Sequence, residues 1–194
     1  MKTWNFNKEP LLLGENFPQP QPDDFPALCF KNASREYVLR NTTKYVRDII
    51  GAIPLRRKHR FISVDVKVHD IEPGRYPCIP GWHTDTVIDP RSNGRPEVHT
   101  LFVTGFASLT EFIGEQVCLT LPTTGNVLLE HFRAEIDAIS PQIRKIPSCQ
   151  LVTYGRYDFH RGSLGLSFEK RLLIRVSETD IIKPQNKPQV FTIR

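Results

Sequence analysis

The stretch FISVDVKVHD, Phe61 to Asp70, decides the fold. Its apolar residues Ile62, Val64, Val66 and Val68 alternate with Ser63, Asp65, Lys67 and His69. A period of two sends the two sets to opposite faces of an extended chain, so the segment is predicted as a strand. Outward from it toward the C-terminus the same character recurs. VHTLFVTG (98–105), TEFIGEQVCLTLP (110–122), SCQLVTYG (148–155), YDFHRGS (157–163) and KRLLIRVSE (170–178) are short β-rich runs. Turn-forming segments such as EPGRYP (72–77) and RSNGRPE (91–97) separate them.

Helices are few. NTTKYVRDIIGAIP (41–54) offers a threonine cap, apolar residues Val46, Ile49 and Ile50 at helical spacing, and Gly51 and Pro54 as a stop. A shorter helix through SREYVLR (34–40) precedes it. NVLLEHFRAEIDAIS (126–140) places Leu128, Leu129, Phe132, Ile136 and Ile139 on one stripe. The first thirty residues alternate proline with polar residues in GENFPQPQPDDFP (14–26), which suits an extended arm pinned by Phe17 and Phe25. Many short strands with few helices give a mainly β fold with flanking α-helices, a sandwich of the jelly-roll kind. The expected organisation is one domain over residues 1–194, with an extended arm over 1–30 and a jelly-roll core over 61–178.

Composition narrows the function classes. No apolar run approaches the ~20 residues that span a bilayer, and residues 11–13 are too short a run for a secretion signal, so a cytoplasmic protein without membrane partners is expected. Cys29, Cys78, Cys118 and Cys149 form no Cys-x-x-Cys pair, which argues for free thiols over a zinc knuckle. The net charge of +5, with its densest cluster at LRRKHR (55–60), tolerates nucleic acid or another anionic partner. No helix-turn-helix, zinc-finger or RNP pattern accompanies it. A small-molecule or modified-base substrate is the preferred expectation, and the oligomeric state stays open.

The chemistry-bearing residues lie in PGWHTDT (80–86) and HRGSLGLSFEKRLLIRVS (160–177). His83 and Asp85 are two apart and share a face if extended. His160 offers a second imidazole. His59, His69, His99 and His131 complete the histidines; His59 belongs to the basic run, and His69 stays open as a ligand of a cupin-like site. Arg171 and Arg175 lie on one side of a strand whose other side carries Leu172, Ile174 and Val176. Charges rarely sit on such a strand unless paired, and a guanidinium grips a carboxylate by two parallel hydrogen bonds. Two histidines and a carboxylate make the facial triad of non-haem Fe(II) oxygenases.

On these residues the chain resembles the Fe(II)/2-oxoglutarate-dependent dioxygenase superfamily, in particular its small bacterial and phage oxygenases, over roughly residues 61–178. The resemblance implies a double-stranded β-helix, and an enzyme that hydroxylates its substrate while 2-oxoglutarate is converted to succinate and carbon dioxide. It further implies that His83, Asp85 and His160 bind Fe(II) and that Arg171 clamps the distal carboxylate of 2-oxoglutarate. Arg175 would be a second cofactor contact, and Thr100, Thr104 or Tyr76 a hydroxyl donor beside the clamp. Trp82 and Arg95 are candidates for substrate contact, with Trp82 alternatively a packing residue. Phe102, Phe112 and Leu173 would wall the pocket, and TVIDPRSNGRPEVH (86–99), carrying Arg91 and Arg95, would form a lid. Competing readings are a surface salt bridge from Arg171 to Glu169 or Glu111, a non-catalytic jelly-roll binding module, and a metal-dependent cupin that does not use 2-oxoglutarate.

Overall fold

The structure is a computed structural model that describes residues 2–6, 11–56, 59–78, 80–85, 97–121 and 129–189. The expected lid through residue 96, with Arg91 and Arg95, falls outside the described residues, as do residues 57–58 of the basic run and Leu128. The chain is mainly β, with few helices and antiparallel sheets. Its strands are β1 (Lys2–Phe6), β2 (Leu12–Asn16), β3 (Cys29–Ser34), β4 (Phe61–Ile71), β5 (Val98–Val103), β6 (Thr110–Ile113), β7 (Val117–Leu121), β8 (Ile143–Lys145), β9 (Gln150–Gly155), β10 (His160–Gly162), β11 (Glu169–Thr179) and β12 (Pro188–Gln189). The helices are α1 (Arg35–Arg40), α2 (Lys44–Ala52) and α3 (Leu129–Ile139), with a 3-10 turn at Pro22–Asp24.

Seven strands form the larger sheet in the order β12-β3-β4-β11-β5-β9-β2. Three form a smaller sheet, β10-β6-β8, and an isolated antiparallel bridge from His83 to His160 extends it beside β10. β1 pairs with β7 alone. The longest pairing joins β4 to β11 from Ile71↔Glu169 to Phe61↔Thr179. That register sets Arg171 opposite His69, Leu173 opposite Lys67 and Arg175 opposite Asp65.

The alternation of β4 decides which face meets what. Val64 and Val66 are buried with Ile174, Val176 and Phe102 against Val46, Ile49 and Ile50 of α2. Asp65, Lys67 and His69, on the opposite face, line a cavity between the two sheets. The helices begin where the sequence places their caps. The Ser34 hydroxyl accepts from the Tyr37 N–H at 3.3 Å, and the Thr43 hydroxyl lies 3.5 Å from the Val46 N–H. Phe6, Phe132, Ile136 and Phe159 build a second cluster.

The proline-rich N-terminal region is more regular than its composition suggests. β1 and β2 are strands within it, β2 pairing with β9 at the edge of the large sheet. Phe17 meets Phe102 edge-on at 5.7 Å, and the Tyr45 hydroxyl donates to the Pro18 carbonyl at 2.6 Å. A partner strand supplies the hydrogen bonds that local sequence cannot encode. All four cysteines are free thiols. Among the described residues no helix is long and apolar enough to cross a membrane.

Candidate functional site

A cavity of about 410 Å³ lies between the sheets. Asp65, Lys67 and His69 reach it from β4, Arg171, Leu173 and Arg175 from β11, and Leu101 and Tyr154 from β5 and β9. The smaller sheet contributes Thr110 and His160, and the stretch before residue 86 contributes His83, Thr84 and Asp85. Both histidines and the aspartate of the sequence motif therefore line one cavity, together with both arginines.

The His83–His160 bridge is what unites the two motif segments. The His83 N–H donates to the His160 carbonyl at 3.0 Å, and the His160 N–H returns a bond to the His83 carbonyl at 2.9 Å. The ring centroids are 4.6 Å apart. His83 Nδ1 lies 3.0 Å from the Gly81 carbonyl and His160 Nδ1 lies 3.1 Å from the Asp158 carbonyl. A carbonyl only accepts, so each Nδ1 carries the proton and each Nε2 keeps its lone pair. Histidine ligands of metals are oriented by this same kind of contact. Burial, reinforced for His83 by the neighbouring His160, lowers both imidazoles to about 4, so both are neutral at pH 7.

Asp85 supplies the carboxylate, with Oδ2 3.5 Å from His160 Nε2. The Tyr154 hydroxyl donates to the same oxygen, and Arg175 Nη1 pairs with Oδ1. Arg175 also grips Asp65, through Nε at 3.0 Å and Nη2 at 2.5 Å. Among the described residues no group of three histidine, cysteine or acidic side chains is arranged to hold a metal ion. His83, Asp85 and His160 are nevertheless the donor types that could hold a divalent cation, two neutral imidazoles with fixed rings and one carboxylate lining one cavity. Arg175 supplies the positive charge beside that carboxylate.

Arg171 lies deeper and is 1% exposed. Nη1 donates to the Ser108 carbonyl at 2.7 Å and lies 3.4 Å from the Ser108 hydroxyl, while Nε has no hydrogen-bond partner. Burial lowers this guanidinium to about 10, which leaves it charged at pH 7. Among the described residues no salt bridge holds it. Glu169 accepts from the Phe106 and Ala107 N–H groups, and Glu111 pairs with Arg161 and Lys145. His69, across from Arg171, is buried with Nδ1 unpartnered, and burial and the arginine lower it to about 3.

Several expectations change. Trp82 is buried in the cluster with Phe6 and Phe132, and the Arg161 guanidinium sits 4.3 Å above its ring. It packs instead of lining the cavity, the alternative its sequence context left open. Phe102 belongs to the core beneath α2, on the far side of the large sheet, and Phe112 packs 5.2 Å from the His160 ring; of the three expected wall residues only Leu173 lines the cavity. The hydroxyl beside Arg171 is Ser108. Thr100 is bonded to Thr153, Thr104 accepts from the Leu172 N–H, and Tyr76 lies half exposed outside the cavity lining. Arg175 is committed to two aspartates and is no open cofactor contact.

Asp65, Lys67, Tyr154 and Ser108 were not recognised as site residues from sequence. The period of two in FISVDVKVHD and SCQLVTYG carried part of the signal, since it aligns Asp65, Lys67 and His69 on one face and Val152 and Tyr154 on another. Ser108 had no such pattern. Compared with family models, with curated proteins and with solved structures, the chain matches none.

Proposed function

We propose that this chain is a non-haem Fe(II)- and 2-oxoglutarate-dependent oxygenase on a jelly-roll core, acting on a small-molecule or modified-base substrate. The observation that carries the proposal is the His83–His160 bridge, which brings two Nε2 lone pairs and Asp85 to the cavity that also holds the buried Arg171. The strand order supports the jelly roll. Counting from β4, including the bridged segment at His83 and leaving out β7, which pairs with β1, the β4-β11-β5-β9 part of the larger sheet runs first, eighth, third, sixth, and the smaller sheet runs second, seventh, fourth, fifth. Two facing four-stranded layers of this kind form a double-sheet roll of eight strands.

His83, Asp85 and His160 would hold the iron. Iron in that position would couple decarboxylation of 2-oxoglutarate to oxidation of a substrate C–H bond. The chain's own part is positional. Arg171, fixed by Ser108 in a buried pocket, binds the distal carboxylate of the co-substrate. Leu101 and Leu173 keep water from the cavity wall. The Nδ1 bonds to Gly81 and Asp158 hold both imidazoles in the ligating tautomer.

An anaerobic titration of the metal-free protein with Fe(II) and then 2-oxoglutarate tests this reading through the visible metal-to-ligand charge-transfer band. The expected band needs both additions, disappears in His83→Ala, and requires far more 2-oxoglutarate in Arg171→Ala. Absence of the band in folded protein overturns the oxygenase reading. Because Arg175 and Tyr154 already satisfy Asp85, that outcome would favour a non-catalytic jelly-roll binding module.

A further inference from the structure

Among the described residues three cations and two carboxylates line the cavity, and Arg175 alone of the cations is paired with them. Asp65 is the carboxylate nearest to Lys67 along β4, and Arg175 takes it with two hydrogen bonds. The Lys67 ammonium makes no hydrogen bond or ion pair with any described residue, although burial, opposed by Asp65 and reinforced by Arg175, lowers its pKa. Arg171 donates only to neutral oxygens of Ser108 and keeps Nε unpartnered. His69 is neutral, and the lining near Lys67 and Arg171 includes Pro77, Thr110, Leu101, Leu173 and the Cys78 thiol, with no carboxylate among these. Two like charges on one cavity wall repel, and among the described residues neither has an ion-pair partner to offset its desolvation.

The pairing register makes them neighbours. Lys67 stands opposite Leu173 and Arg171 opposite His69, so the two residues are diagonal neighbours on adjacent strands, with backbones about 7–8 Å apart. That spacing suits two anionic groups on one short ligand.

We propose that Lys67 is a second anion anchor, which together with Arg171 holds the two carboxylates of one short-chain dicarboxylate, so that this ligand enters the cavity without a metal. The inference rests on the oxygenase reading for the identity of the dicarboxylate. It transfers to Lys67 the second anion contact that the sequence assigned to Arg175. Binding then follows an order: the organic acid is seated by Lys67 and Arg171 independently of whatever His83, Asp85 and His160 hold.

The test is calorimetric titration of chelator-treated protein with 2-oxoglutarate, with glutarate, and with butyrate as the mono-acid probe. Both diacids are expected to bind at least about tenfold more tightly than butyrate. Lys67→Met should remove that margin, and Lys67→Arg should retain most of it. The position is partly exposed and makes no internal bond, so Lys67→Met folds as wild type, which circular dichroism checks. Unchanged diacid affinity in Lys67→Met overturns the proposal. So does failure of wild type to bind diacids without metal, and a repeat with Mn(II) then separates the two ideas. Binding restored by Mn(II) leaves the oxygenase reading standing without the Lys67 anchor, whereas no binding with Mn(II) removes both.

Discussion

Arg175 of β11 pairs with Asp85, two residues beyond His83, while its other nitrogens hold Asp65 of β4. One guanidinium thus pairs with two nearly buried carboxylates at the wall where His83 and His160 meet. A cation bound at Asp85 would replace one of the two roles of Arg175.

Replacing Arg175 with Met leaves both carboxylates without a cation. Breaking a buried pair by removing one partner costs about 3–5 kcal/mol, and urea unfolding of metal-free Arg175→Met should show a loss of that order. Mn(II) should then stabilise the variant more than it stabilises wild type, because the ion meets an unpaired Asp85. A variant within about 1 kcal/mol of wild type would show that the pair carries no such load.

Acid should destabilise the fold through its buried neutral histidines. His69 is lowered to about 3 by burial and Arg171, and His99, buried and bonded through Nδ1 to the Ser177 hydroxyl at 2.8 Å, is lowered to about 4. Each folded pKa lies below the unfolded value near 6.5, so the unfolded chain takes up the proton first. Their contribution is complete above pH 6.5 and is lost as pH falls toward 3–4. At pH 5 each costs about 2 kcal/mol relative to pH 7. Urea midpoints measured from pH 7 to pH 5 check this, and His69→Gln should flatten the dependence by about one proton. A midpoint that does not move over that interval would rule it out.

Gly81 has φ +86°, and its carbonyl orients His83 through Nδ1. A Cβ there would lie 2.7 Å from Arg133 Nε, whose guanidinium donates to the Pro80 carbonyl at 2.7 Å. The left-handed backbone costs an L-residue about 1–2 kcal/mol. Gly81→Ala should therefore tilt His83 and weaken divalent-cation affinity about tenfold or more, read from Co(II) absorption. Affinity equal to wild type would mean that the carbonyl contact does not position the ring.

Phe102 joins the N-terminal segment to α2, meeting Phe17 at 5.7 Å and Tyr45 at 6.3 Å. Phe102→Ala should cost about 3–5 kcal/mol. Phe17→Ala should cost less and selectively speed proteolysis before residue 29. Equal cleavage rates in Phe17→Ala and wild type would show that the ring does not fasten this segment.

The period of two in β4 and β11 and the helices α1 and α2 were readable in the sequence, because each is encoded by residues a few positions apart. His83, Asp85, His160 and Arg171 were instead singled out by a resemblance that joins segments far apart in the chain. β1 and β2 escaped notice in the first thirty residues, since their regularity comes from hydrogen bonds to β7 and β9. Trp82 and Phe102 show the same limit, for a local pattern does not say which layer a side chain enters.

By itself the sequence determined a mainly β chain and the residue types able to ligate a metal and grip an acid. Only the tertiary structure decided that His83 meets His160, that Arg175 is spent on Asp65 and Asp85, and that Lys67 and Arg171 line the same cavity without an ion-pair partner among the described residues. The reason is physical: alternation assigns a side chain to a face, but the partner across that face is set by the register of strands distant in the chain.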